Sequence, residues 1–91
     1  MIITLDEMKN YLRVDHEDED ILLESLIASS QQLCMDVARI SDEESFEKDP
    51  CSKVAVMYAV AYLYEHREDA NHLELNLSIR ALLSGIRQEG F

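Results

Sequence analysis

Eleven consecutive residues, Val54-Ala-Val-Met-Tyr-Ala-Val-Ala-Tyr-Leu-Tyr64, carry no charge in a chain where 30% of residues are charged. On a helical wheel this run places apolar side chains on every side. A helix of that kind needs partners in more than one direction. The run falls well short of the roughly 20 residues a membrane span requires, so it is expected as a buried core helix. A chain of this size buries only about two-thirds of its unfolded surface, and oligomerisation is a common supplement to so small a core. What covers the run is therefore the question that leads to function.

The remaining residues read as further helices. With two glycines and one proline in 91 residues, and Ala, Leu, Glu and Ile plentiful, the composition argues against a sandwich or barrel. Thr4-Leu-Asp-Glu7 has the spacing of a capping box and opens a short helix over about 5–13, with Leu5, Met8 and Leu12 on its apolar side. The acidic stretch Asp15–Asp20 follows. It lacks the glycine and the alternating ligands of a calcium loop, so one Asp is expected to cap the next helix and its neighbours to complement the dipole.

That second helix is expected over about 19–39. Leu22, Leu26, Ser29/Ser30, Leu33, Val37 and Ile40 mark its stripe, widened by Ile21, Leu23 and Ile27, and Ala28, Ser29 and Ser30 form a flat patch for a close neighbour. Ser41–Asp49 is a polar connection with room for one helical turn and Phe46 as its apolar anchor. Asp49-Pro50 is a start signal, an acidic cap followed by proline at the first helical position, for a helix over about 50–67. A polar loop, Glu68–Asn76, precedes a short last helix over about 78–86, with Asn76 or Ser78 as its cap. The expectation is one all-α domain over 1–91, a small bundle of two longer and two short helices.

Charge and chemistry narrow the function. The net charge is −11, and residues 1–50 hold 14 acids against 4 bases while residues 51–91 hold 5 against 4. An acidic body is a poor binder of DNA or anionic lipid, so protein contact is expected in the near-neutral second half. The opening Met1–Asp6 lacks the basic flank and apolar core of a signal peptide. Cys34 and Cys51 are too few for a disulfide framework, and two reduced thiols in a cytosolic setting are expected. Neither has the basic surroundings of a nucleophile. His66, His72 and the cysteines show none of the short spacings of a zinc site, and two glycines cannot build a phosphate loop. No enzyme, no cofactor, no metal and no membrane are expected.

Two blocks then resemble a known family. Ile3-Thr-Leu-Asp-Glu-Met-Lys-Asn-Tyr-Leu-Arg-Val14, with its acidic turn and Leu22-Leu-Glu-Ser-Leu-Ile27, is similar to the opening of the small helical head–tail connector, or adaptor, proteins of tailed bacteriophages and prophages. Lys53–Glu68, ending in Tyr64-Glu-His-Arg67, resembles their apolar helix, and Ile79–Arg87 resembles their closing segment. The resemblance implies a ring of identical subunits at the virion neck. The ring docks on the portal after DNA packaging, extends the channel and presents a surface to a tail or stopper protein, while DNA passes without specific binding. Assembly would take place in the host cytoplasm.

On that reading Val56, Val60, Leu63, Tyr62 and Tyr64 are expected at the subunit interface. Arg80, Arg87 and Phe91 are expected at the portal. The rival from another class is a small acidic regulator that inhibits a basic DNA-binding partner. It would be monomeric or dimeric, with the acidic loops as its working surface.

Overall fold

A computed structural model describes residues 2–66, 68–69 and 71–83 of the chain. Among these residues the order is α1 (Leu5–Leu12), α2 (Asp20–Ala38), α3 (Glu43–Glu47), α4 (Pro50–Glu65) and α5 (His72–Leu82), with no strand. The all-α expectation holds, and the two long helices stand where periodicity put them.

The start of α1 is the capping box itself. The Glu7 N–H donates to Thr4 Oγ1 at 3.1 Å, and the Thr4 N–H donates to Glu7 Oε1 at 3.0 Å. Met8 is the fully buried residue of this helix. The helix stops at Arg13, whose φ of 61° is left-handed, and α2 stops the same way at Arg39 with φ 60°. These are the positions that glycine usually takes.

Two expectations for α2 need correction. Its N-cap is Glu19, with no side-chain cap bond, so no aspartate does that work. Asp20 lies inside the first turn instead, where its carboxylate accepts a 2.7 Å bond from Lys9 Nζ and joins α1 to α2. The buried line is Leu23, Ile27, Ser30, Gln31, Cys34, Met35 and Ala38, one residue round from the expected stripe. Leu22, Leu26, Leu33 and Val37 flank it half-buried, and Ile21 is 84% exposed.

Packing explains the rotation. The pairing of α2 with α4 is the most extensive in the fold. Small residues on both helices, Ser30, Cys34 and Ala38 on one and Ser52, Ala55 and Ala59 on the other, are fully buried. Small side chains let helix axes approach, so the side that carries them turns inward. Of the flat patch expected at 28–30, only Ser30 is inside, while Ala28 and Ser29 are exposed.

The polar 41–49 segment holds the single turn α3. Asp42 caps it, accepting from the Glu44 N–H at 3.3 Å and the Ser45 hydroxyl at 2.7 Å, and Phe46 is wholly buried. At α4 the Asp49-Pro50 signal works as read, with Asp49 Oδ1 accepting the Cys51 N–H at 2.8 Å. The helix closes at Glu65.

The last helix is the larger departure. It begins at His72, capped by Asn71, whose Oδ1 accepts the Glu74 N–H at 3.0 Å. Asn76 and Ser78 lie inside it, so half of the expected loop is helical. It buries Leu75 and Ile79 against α4 and α2, and Leu83 just beyond its end is also fully buried. The expected end at 86 lies outside the described residues.

Candidate interaction surfaces

The core takes one side of α4 and leaves the other. Ser52, Ala55, Val56, Ala59 and Val60 have no exposure, whereas Val54 is 55% and Tyr58 36% exposed. Residues four apart share a helix face, so Val54, Tyr58 and Tyr62 form one outward row. The C-terminal part of that row is the floor of a groove of about 730 Å³ between α1, α4 and the start of α5. Tyr11, 55% exposed, and Arg13 enter from α1, and Glu65, His66 and Glu74 complete the rim.

Aromatic contacts and backbone bonds hold this groove in shape. The Tyr58 and Tyr62 rings lie 6.4 Å apart, and the Tyr62 and His66 rings stack at 4.3 Å with 18° between their planes. Tyr62 Oη accepts the Asn71 N–H at 3.0 Å, which ties the floor to the cap of α5. His66 Nδ1 lies 3.0 Å from the Tyr62 carbonyl oxygen. The α1 wall is fastened to α4 by Lys53 Nζ, which donates to Glu7 Oε2 at 2.6 Å. That lysine and the Thr4 backbone hold the Glu7 carboxyl below its ordinary value of 4.5. A surface of tyrosines with satisfied or water-accessible hydroxyls suits a protein partner.

A second surface lies on α5. Leu73 is 71% and Leu77 56% exposed, one turn apart. Together with Asn76 and Arg80 they border a shallower hollow of about 350 Å³, closed on the far side by Asp36, Val37 and Arg39 at the end of α2.

The residues expected at the subunit interface divide accordingly. Val56 and Val60 have no surface to offer in this conformation, because α4 turns them into the core of their own subunit. Tyr62 is half-buried on the groove floor. Leu63 and Tyr64 are half-buried against the core, and the Tyr64 hydroxyl donates to Glu19 at the start of α2. Of the residues expected at the portal, Arg80 is exposed beside Leu77. Arg87 and Phe91 lie outside the described residues. The pattern reading passed over Tyr11, Tyr58, Leu73 and Leu77 as contact residues. Two of them carry an i, i+4 signal, Leu73 inside the expected Glu68–Asn76 loop and Leu77 just after it.

Other chemistry is sparse. Among the described residues no group of three or more His, Cys, Asp and Glu side chains converges as a metal site, and no helix is long and apolar enough to cross a membrane. Burial pushes the Cys34 thiol up to about 12. A hydrogen bond to Asp49, with the charge of that carboxylate, raises the thiol of exposed Cys51. Both shifts work against a thiolate nucleophile.

Comparison with known proteins adds one result. No curated protein sequence and no solved structure matches the chain. A family model does match, that of the phage gp6-like head-tail connector proteins, over residues 2–87. With nearly the whole chain covered, this protein belongs to the phage gp6-like head-tail connector family.

Proposed function

We propose that copies of this chain form a closed ring that docks on the portal vertex once DNA is packaged and joins head to tail. The family supplies the connector role at the virion neck. The observation that carries the finer reading is the uncovered apolar side of α4, where Val54 and Tyr58 are exposed, with Tyr11 of α1 exposed beside the groove. A ring of neighbours is the partner that such a side lacks in a single copy. The near-neutral second half, with Arg80, Arg87 and Phe91, is proposed to meet the portal, and a tail or stopper protein to meet the opposite rim.

The acidic turn between α1 and α2, where Asp15, Glu17 and Asp18 are exposed, is proposed to face the channel. Carboxylates displace no counterions from DNA, so the duplex passes without adhering. Finding that turn on the outside of the assembled ring overturns this part.

The test of the whole reading is a phage lacking the gene for this chain, examined for particles and complemented with purified protein. DNA-filled heads and free tails that join on addition of the protein are expected. Complete particles formed without it overturn the connector reading. A strict monomer that displaces DNA from a basic protein would instead favour the acidic inhibitor.

A further inference from the structure

We infer that the tyrosine groove takes an arginine side chain presented by a segment of a partner protein. This goes beyond the ring reading and does not depend on it, because it states the chemistry that the surface opposite the groove must carry. Aromatic faces, unneutralised carboxylates and an open shape point to that chemistry together.

The aromatic faces come first. Tyr58 and Tyr62 stand one turn apart with ring centroids 6.4 Å apart, and Tyr11 joins them from α1. Tyr62 is held in place by its stack on His66 and by the Asn71 N–H that its hydroxyl accepts. The face of such a ring attracts a cation. A guanidinium is planar and weakly hydrated, so it lies on the ring at less cost than an ammonium.

The carboxylates come second. Glu65 and Glu74 border the groove, and the Tyr62 hydroxyl lies 3.4 Å from Glu74 Oε1, beside the floor. Among the described residues neither acid forms an ion pair, with Arg13 on the same rim or with any other cation. Two exposed acids against one arginine leave the groove with surplus negative charge. That surplus repels phosphate, which argues against a nucleic acid as occupant. It also leaves acceptors for the fork of N–H donors on a guanidinium.

Shape is the third. The groove holds about 730 Å³ and is open to solvent, with half-buried Leu12 and Ala61 in its lining. An enclosed pocket would suit a small free cation. An open groove with apolar ground suits a side chain that arrives attached to its backbone, its stem on Leu12 and Ala61 and its head at the rim.

The experiment is a titration of the full chain with N-acetyl-arginine amide, followed by NMR at the tyrosine rings. Saturable shifts at Tyr11, Tyr58 and Tyr62 are expected. N-acetyl-citrulline amide, the neutral analogue of the same shape, is expected to bind about tenfold or more weakly. Methylguanidinium, which lacks the stem and the backbone, is also expected to bind more weakly than the arginine amide. Tyr58→Leu keeps the apolar area and removes one ring face. At a site 36% exposed it is expected to keep wild-type helicity by circular dichroism and to weaken arginine binding about fivefold. Glu65→Gln combined with Glu74→Gln, both at exposed positions, is expected to weaken it about as much.

Equal binding of the arginine and citrulline amides overturns the inference in favour of a plain apolar groove. Shifts that saturate as readily at the acidic turn, Asp15–Asp18, overturn it as general attraction to an acidic chain. Arginine binding unchanged in Tyr58→Leu and in the double glutamine variant overturns it as well. Methylguanidinium that binds as tightly as the arginine amide overturns a protein-borne occupant. None of these results bears on the ring reading, whose own test is the joining of heads to tails.

Discussion

Along one side of α4, Ser52, Ala55, Val56, Ala59 and Val60 never meet solvent, while on the other Val54 and Tyr58 are left 55% and 36% exposed. Both sides are apolar and both belong to the same uncharged run. Val54 is the same residue as Val56 and Val60, so what separates the sides is where the smallest residues, Ser52, Ala55 and Ala59, fall. The inner side is built of small and β-branched residues that fit close against the small residues of α2, and the outer side carries the tyrosines. Apolarity therefore says that a helix wants cover. The distribution of small residues says which cover its own chain provides. The large amphipathic side chains are what the fold leaves at its surface.

Making one substitution on each side would break or sharpen this contrast most strongly. Val60→Asp places a carboxylate where no solvent reaches and is expected to cost more than about 4 kcal/mol, enough to unfold so small a domain. Val54→Asp, six residues earlier on the outer side, is expected to stay within about 0.5 kcal/mol of wild type in thermal or urea denaturation. Equal losses at the two sites would show that the outer side is also part of the folded core.

A smaller effect is expected at Asn71, which caps α5 and also donates its backbone N–H to Tyr62 on the groove floor. Asn71→Ala is expected to cost about 1 kcal/mol in the same measurement. The Tyr62 bond uses the backbone and survives the change, so the groove should keep its shape while α5 loosens.

The smallest effect belongs to the two ion pairs that hold α1, the exposed Lys53–Glu7 pair to α4 and the part-buried Lys9–Asp20 pair to α2. Glu7 has its folded value lowered, first by the Lys53 hydrogen bond and then by the Thr4 backbone. Its contribution is present above the ordinary 4.5 and is lost as pH falls through the lower folded value. Lys9 has its value raised above 10.5, first by its bond to Asp20, so that contribution is complete below 10.5 and is lost as pH rises through the folded value. Melting temperatures of wild type and Glu7→Gln are expected to differ slightly above pH 4.5 and to converge in acid. Curves for Lys9→Met are expected to converge with wild type only in strong alkali. Pairs at or near the surface contribute little, so a large gap would mean that α1 bears more of the fold than its size suggests.

Local signals were legible where a cap and a period agreed. Thr4–Glu7 and Asp49-Pro50 start helices because their side chains satisfy free backbone N–H groups, and no distant contact can change that. The start of α5 was hidden because Leu73, Leu75 and Leu77 alternate, a period of two that does not look helical. Only Leu75, Ile79 and Leu83 face the core, and the other two leucines are outside. Surplus apolar residues on the outer side masked the helical period. The same surplus misdirected the reading of α4. With apolar residues all round, nothing in the run marked Val56 and Val60 as inner and Val54 and Tyr58 as outer. The small-residue match to α2 did mark it, but that match lies between segments far apart in the chain.

The two left-handed arginines carry a consequence for engineering. Arg13 and Arg39 occupy backbone positions where a side chain is a liability of about 1 kcal/mol relative to glycine. A designer seeking heat resistance would replace both first. Yet Arg13 lines the tyrosine groove and Arg39 the hollow beside Leu73 and Leu77. The most obvious gains in durability therefore sit on the surfaces with most to lose, and a toughened version of this chain would test whether robustness and assembly are traded at the ends of its helices.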